Sequence, residues 1–497
     1  VSGSGPENRS KPFNPSTPDT DHRGPHPVVP RVRYEPVDDL LRTTLRTIRD
    51  NLELPESFPA EVEAEATEAV KTAALPELDR TGIPFVTIDP QGATDLDQAM
   101  HLERDGEGYV VHYAIADVPA FVRGGGAVDT EARGRGQTLY APDGRIPLHP
   151  TVISESAASL LPGQVRGAYL WTFQLDAAAN VTRTTLERAR IRSREQLTYV
   201  GVQAQLDDGT ADPSLTLLPE VGAKRVELER ARGGASLNRP DEEVMLVDGS
   251  YTLVRRESLP VEEWNAQISL MTGMAAAKVM LDGRLGILRT MPPPYPDTLE
   301  RFRREVAALG CPWPKDLAYG QYLRTLDRTD PRGLAAIHAA TALFRGAGYT
   351  AFDGELPENM VQAAVAAPYA HATAPLRRLV DRFVLVICEA LLNGRAVPTW
   401  AREALPSLPK IMQRSDSLAS RLEHASVDAI EAALLTARVG AVFDAIVVAE
   451  RDGGGVIQLT EPVVTATIAG AVAAGDVVRV KLVTADIATG VVAFELA

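Results

Sequence analysis

The run Phe85-Val-Thr-Ile-Asp89-Pro-Gln-Gly-Ala-Thr-Asp95-Leu-Asp97-Gln98-Ala99 gathers three carboxylates in one short stretch. An apolar strand pattern delivers Asp89, a turn bearing Pro and Gly follows, and Asp95 and Asp97 arrive two positions apart. If that last piece is extended, both side chains point to one face. Like charges held this close repel, so something positive should compensate them. Hard oxygen ligands at this density suit magnesium or manganese, not zinc. Two such ions about 3.5–4 Å apart can activate a water and stabilise the leaving oxygen of a phosphodiester. The bland alternative is a solvated turn, since aspartate is common where chains reverse and Asp-x-Asp alone is a weak motif.

The elements around this run must position it. Residues 1–33 are rich in Pro, Ser, Asp and Arg and read as a disordered tail. Residues 34–80 read as an N-terminal helical appendage, with apolar spacing over 38–51 and a second helix over 60–74 whose early glutamates suit the helix dipole. Strand signals run from 83 to about 200. Val111, Tyr113 and Ile115 alternate with Val110, His112 and Ala114 as in a half-buried strand, with Asp117 following. Arg188, Arg190, Arg192 and Arg194 alternate on one strand face, either for phosphate contact or as a solvated surface. Helical periodicity dominates 215–436, including 218–230, 261–281, 299–310, 332–343, 376–392 and 416–437. Five short strand patterns in 437–497 suit an OB-type barrel. The fold class is therefore α+β: a catalytic domain over 81–436, a sheet with surrounding helices, plus a small C-terminal β-barrel.

Composition narrows the class of function. The net charge of −15 argues against a simple nucleic-acid binder, although a narrow channel can hold local positive charge in an acidic protein. Two isolated cysteines, Cys311 and Cys388, make neither a disulfide framework nor a zinc cluster, and point to a reducing, cytoplasmic home. Neither a membrane span nor a signal peptide is expected. Metalloprotease histidine spacing, a Gly-x-Ser-x-Gly elbow and a Gly-Lys-Ser/Thr phosphate loop are all missing from the sequence.

The longer string Thr-Ile-Asp-Pro-x-Gly-Ala-x-Asp-x-Asp-x-Ala closely resembles the signature of the ribonuclease II (RNB) family. Further resemblances follow in the family's order: Val111-His-Tyr-Ala-Ile-Ala-Asp117-Val118, Tyr140 before Ile146-Pro-Leu-His-Pro150, and Ser159-Leu-Leu-Pro162 with Arg166. Tyr199 follows in Gln196-Leu-Thr-Tyr, and then Tyr369-Ala-His-Ala-Thr-Ala-Pro-Leu-Arg377-Arg378-Leu-Val-Asp381. The resemblance implies a 3′→5′ hydrolytic exoribonuclease that degrades single-stranded RNA to nucleoside 5′-monophosphates, with Mg²⁺ or Mn²⁺ as cofactor. It implies that Asp89, Asp95 and Asp97 bind metal and are catalytic, with Asp97 the most critical. Arg377 is implied beside the scissile phosphate, Tyr140 stacked on a base and Tyr199 setting the terminal nucleotide. Arg166 and Arg378 are expected to contact RNA, and the chain is expected to act as a monomer. Outside the family context the tyrosines suit core positions, and Arg377 and Arg378 suit pairing with Asp381 at helical spacing.

The sequence also departs from the pattern, as a divergent bacterial member would. The family usually has a second aspartate directly after the critical one, where this chain has Gln98. Ala266 and Gln267 stand opposite an expected glutamate pair, and no stacking aromatic appears near Ser236-Leu237-Asn238. Many members carry cold-shock barrels before the catalytic domain, and 34–80 is too short for one. A haloacid-dehalogenase-like phosphatase also uses Asp-x-Asp, but Ala99 stands where Thr or Val is needed. The serious rival is a homologue that binds RNA and cleaves it poorly.

Overall fold

A computed structural model describes residues 35–497 apart from 236, 238–240, 248, 249 and 257. The expected tail over 1–33 lies outside the described residues, as do Ser236 and Asn238 of the segment expected to lack a stacking aromatic.

The chain opens with α1 (Glu35–Asn51) and α2 (Ala60–Thr72). These helices are packed into the fold. Leu41 and Leu45 of α1 join Ala429 and Ile430 of the helix Leu408–Thr436 in one core cluster. Val62 and Ala66 of α2 are buried beside the strands. Glu65 of α2 accepts hydrogen bonds from the backbone N–H groups of Ala127 and Val128, at 2.8 and 3.1 Å. It thereby caps α3 (Ala127–Arg135), where free amides and the helix dipole favour an anion.

The centre of the fold is a barrel. Strands β1 (Phe85–Asp89), β2 (Gln98–Asp105), β3 (Gly108–Ala116), β6 (Val165–Leu175) and β7 (Val181–Thr198) close on themselves, where the sequence suggested only a sheet. Strands β4 (Leu139–Ala141) and β5 (Gly144–Ile146) form a separate hairpin between β3 and β6. Closure depends on the 18-residue length of β7. Its earlier part pairs antiparallel with β6, and its last residues pair parallel with β1, from Phe85↔Ser193 to Asp89↔Thr198.

Alternation along β3 and β6 divides large from small side chains. Tyr109, Val111, Tyr113 and Ile115, with Tyr169, Trp171 and Phe173, enter one core cluster. Ala114, Ala116, Ala168 and Leu170 enter another, covered by α2 and the α3 region. The half-buried strand expected at 110–116 is therefore buried on both faces over most of its length, because helices cover the side that sequence alternation had left to solvent.

Helices α4 (Tyr199–Asp207), α5 (Pro213–Arg232) and α6 (Pro260–Asp282) follow. Thr198 and Asp212 cap the first two, each accepting a backbone N–H at 3.1 and 2.9 Å, and Pro213 suits the first turn of α5. Between α5 and α6 the strands Asp241–Val247 and Ser250–Arg256 form a hairpin inside the region read as helical. The predicted helix over 376–392 starts later, at Leu379, leaving Arg377 and Arg378 in the preceding turn. The C-terminal strands Val442–Arg451, Gly454–Leu459, Thr465–Ala469, Val477–Asp486 and Val491–Leu496 make the expected five-stranded, nearly closed OB-type barrel. No described helix is long and apolar enough to cross a membrane. Both cysteines are free thiols.

Candidate active site

Strand β1 ends at Asp89, and the loop before β2 carries Asp95 and Asp97. This loop is clamped from outside the barrel. Ser159 Oγ accepts the Leu96 N–H at 3.0 Å and donates to the Thr94 carbonyl at 2.7 Å, and Leu160 N–H donates to the Leu96 carbonyl at 3.0 Å. Leu96 is itself fully buried, so the loop that carries Asp95 and Asp97 is anchored through it. Arg166 serves the clamp: its guanidinium donates to the carbonyls of Ser159 and Ser156, each at 3.1 Å. The structure thus places Arg166 behind the aspartate loop, committed to backbone oxygens and to the Gln164 side chain.

Asp97 is 2% exposed. Its Oδ1 accepts the Leu376 N–H at 2.8 Å, and its Oδ2 lies 3.7 Å from Arg377 Nε without a hydrogen bond. Asp89 Oδ2 is likewise buried and unpartnered. Burial pushes the Asp97 carboxyl up to about 8 and the Asp89 carboxyl up to about 6, opposed in both by the charge of Arg377. Asp95 is different, because Arg145 of β5 donates to its Oδ1 at 2.6 Å. Arg145 is the positive group that the crowded carboxylates required, and sequence reasoning missed it. The hairpin register sets Arg145 opposite Tyr140, so the element read for its tyrosine also delivers the cation.

The turn carrying Arg377 is held on several sides. Thr138 N–H donates to the Arg377 carbonyl at 2.9 Å, and Leu379 N–H to the Gly136 carbonyl at 3.0 Å. Gly136 sits at φ +77°, and a Cβ there would lie 2.5 Å from Ser415 Cβ. Only glycine fits both the conformation and the space. Asp381 accepts the Ala374 N–H at 2.7 Å, and both its oxygens accept from Arg378, at 2.9 and 2.7 Å. Arg378 is therefore turned into the protein, while the Arg377 side chain stays 46% exposed. Gln98 Nε2 donates to the Thr373 carbonyl, and Thr373 Oγ1 lies 2.8 Å from Ser269 Oγ of α6.

Tyr199, at the start of α4, completes the site. Its hydroxyl accepts from Asn265 Nδ2 at 3.2 Å, and burial with the nearby Asp89 charge pushes it up to about 12. Tyr140 is 54% exposed, with its ring free to meet a ligand. The α6 residues facing this centre are Asn265 and Ser269; Gln267 instead donates to Glu229 of α5 at 2.6 Å. Asp117 is fully buried and bound by Arg188 at 2.5 Å, and Arg190 pairs with Asp79 at 3.1 Å, so half of the arginine row has structural work.

Among the described residues no three His, Cys, Asp or Glu side chains stand grouped to hold a metal ion. What the site offers a cation is two buried, unpartnered carboxylate oxygens, on Asp89 and Asp97. Such orphans are costly unless something positive meets them, and oxygen donors suit Mg²⁺ or Mn²⁺.

A closed barrel bearing an acidic loop, joined to helices and a small nearly closed C-terminal barrel, defines an RNB-type α+β protein. Residues 78–394 match the RNB domain, and residues 441–497 match the RNase II-type exonuclease C-terminal S1 domain. The chain belongs to the RNB family. Ribonuclease R of Escherichia coli is 28% identical over 66% of the chain and 42% of its own length, so the chain spans less than half of that relative. Mycoplasma genitalium RNase R, solved in complex with ribose methylated single-stranded RNA, superposes with a TM-score of 0.80 at 17% identity, covering 92% of this chain and 78% of that one. Yeast Ssd1, a pseudonuclease, superposes with a TM-score of 0.68 at 16% identity, covering 88% and 57%.

Proposed function

We propose that this chain is a metal-dependent exoribonuclease that shortens single-stranded RNA from its 3′ end and releases nucleoside 5′-monophosphates, acting as a cytoplasmic monomer. The observation that carries the reading is the convergence of Asp89, Asp97, Tyr199 and Arg377 from separated segments onto one centre, linked by contact and by charge.

Asp89 and Asp97 would hold the divalent ion through their unpartnered oxygens, with Asp95 beside them balanced by Arg145. A bound Mg²⁺ or Mn²⁺ supplies Lewis acidity and lowers the pKa of a water at the phosphodiester. Arg377 grips phosphoryl oxygens as negative charge grows there, and its planar fork suits two of them at once. Tyr199, steadied by Asn265, sets the terminal nucleotide near Asp89. Tyr140 stacks a base without regard to sequence. Arg166 and Arg378 act through position, by holding the aspartate loop and the Arg377 turn.

A second reading is favoured by Gln98 and by the likeness to a pseudonuclease: a protein that binds RNA and cleaves it poorly. A 5′-labelled single-stranded RNA distinguishes them. Shortening to a small labelled remnant with Mg²⁺, abolished by EDTA, supports the nuclease. RNA bound but uncut with either Mg²⁺ or Mn²⁺ supports the binder.

A further inference from the structure

A cavity of about 430 Å³ is lined by the start of β7 and the later turns of α5 and α6. Its apolar floor is built by Met271, Met274 and Val279 of α6 with Leu392, and its cationic wall by Arg183, Arg225 and Arg232. None of the residues placed in the catalytic centre lines it. Along α6, Asn265 reaches Tyr199 near the N-terminus, while Lys278 lies some ~20 Å further along the axis at about 1.5 Å per residue.

The charge of this cavity is unbalanced. Arg225 is 5% exposed, and its Nε has no hydrogen-bond partner. Among the described residues its one hydrogen bond is from Nη1 to the Ala179 carbonyl at 3.1 Å, so no carboxylate is hydrogen-bonded to it. Arg232 Nε is also buried without a partner. The nearest acid to both is Glu229, whose two oxygens are already taken by Gln267 at 2.6 Å and Arg324 at 2.7 Å. Lys278 and Asp282 neutralise each other at 2.8 Å. Burial, together with the charge of Arg232, pulls the Arg225 guanidinium down to about 10. A guanidinium as buried as that of Arg225, with no acid hydrogen-bonded to it, costs folding energy, and the half-buried Arg232 beside it adds a like charge. Helix-dipole compensation at the end of α5 explains a cation at Arg232, but not Arg225, which lies two turns earlier.

We propose that this cavity binds a small phosphorylated molecule of mononucleotide size, at a site separate from the aspartates. Guanidinium forks match phosphate oxygens in pairs. The methionine and aliphatic floor suits a planar or apolar body, and the volume lies within the range of small-ligand sites, about 300–1,000 Å³. This inference does not depend on the chain being a nuclease.

The test is calorimetry on the full chain in EDTA, using AMP, inorganic phosphate and adenosine as separate probes. AMP is expected to bind the parent chain and Arg377→Ala alike. Arg232→Gln and Met274→Trp, one on the wall and one on the floor, should each weaken it about tenfold or more. Arg232→Gln should leave RNA shortening unchanged. Phosphate alone should bind more weakly than AMP, and adenosine more weakly still. Four results would overturn the proposal: no AMP binding, loss of binding in Arg377→Ala, undiminished binding in both cavity variants, or phosphate binding as tightly as AMP.

Discussion

Asp97 Oδ1 accepts a hydrogen bond from the backbone N–H of Leu376 at 2.8 Å, across 279 positions of sequence. One carboxylate thus ties the barrel loop to the turn that carries Arg377. The same turn is bound again through Gln98 and Thr373. In Gln98→Leu that second tie is lost while Asp97 remains. Slippage of about 1 Å at a reacting group can cost on the order of 100-fold, so kcat is expected to fall by about ten- to 100-fold. RNA affinity should change little. Separate measurement of single-turnover rate and RNA binding checks this, and a parallel loss of affinity would contradict it.

Arg377→Lys keeps the charge and loses the planar fork. A rate loss of about 10²–10³ is expected, as for removal of one group that meets transition-state charge. Arg378→Lys retains an ion pair with the buried Asp381, so it should alter melting temperature more than rate. Equal rate losses in the two variants would show that exposure and pairing had been misread.

Tyr140→Ala should weaken single-stranded RNA by about 1–3 kcal/mol, and Tyr140→Phe by almost nothing, because the ring supplies the stacking. Fluorescence anisotropy in EDTA reads binding without cleavage. Loss of affinity in the phenylalanine variant would assign the contact to the hydroxyl.

The buried Asp97 oxygen that accepts no hydrogen bond should destabilise the metal-free fold. Asp97→Asn is therefore expected to melt higher in EDTA, by a gain of about 1–2 kcal/mol, the range seen when functional strain is relieved. Added Mg²⁺ or Mn²⁺ should raise the melting temperature of the parent chain and not of the variant. Scanning calorimetry with and without metal decides the point.

His149 is fully buried, and burial with the nearby Arg382 charge pulls it down to about 3 from its ordinary 6.5. The unfolded chain takes up a proton below about 6.5 that the folded chain refuses, so this residue's effect is to lower stability progressively as pH falls from about 6.5 towards 3. His149→Gln removes that dependence. Urea midpoints between pH 7 and pH 4 should therefore fall less steeply for the variant, and parallel curves would contradict the assignment.

The aspartates, both tyrosines and Arg377 were legible as a pattern because each belongs to a local string of distinctive residues. Arg145 was not, since its importance comes from a hairpin register that sets it across from Tyr140 and against Asp95. Ser159 and Arg166 stood out as a motif, yet their work is to clamp the loop at Leu96, a contact that crosses 63 residues. Alternation in β3 identified a strand correctly, but not that helices bury its second face. Closure of the barrel was equally hidden, because the parallel pairing of β1 with β7 joins segments about a hundred residues apart. The hairpin within 241–256 was passed over inside a stretch dominated by helical periodicity.

The most direct test of the central claim compares the parent chain with Asp97→Asn on one 5′-labelled single-stranded RNA in Mg²⁺, with binding measured in parallel. Unchanged RNA affinity is expected, with cleavage slowed by about 10²–10³ or more, the usual cost of losing one transition-state contact. Near-parental cleavage by Asp97→Asn would contradict the assignment of Asp97 to the chemistry and the site built around it.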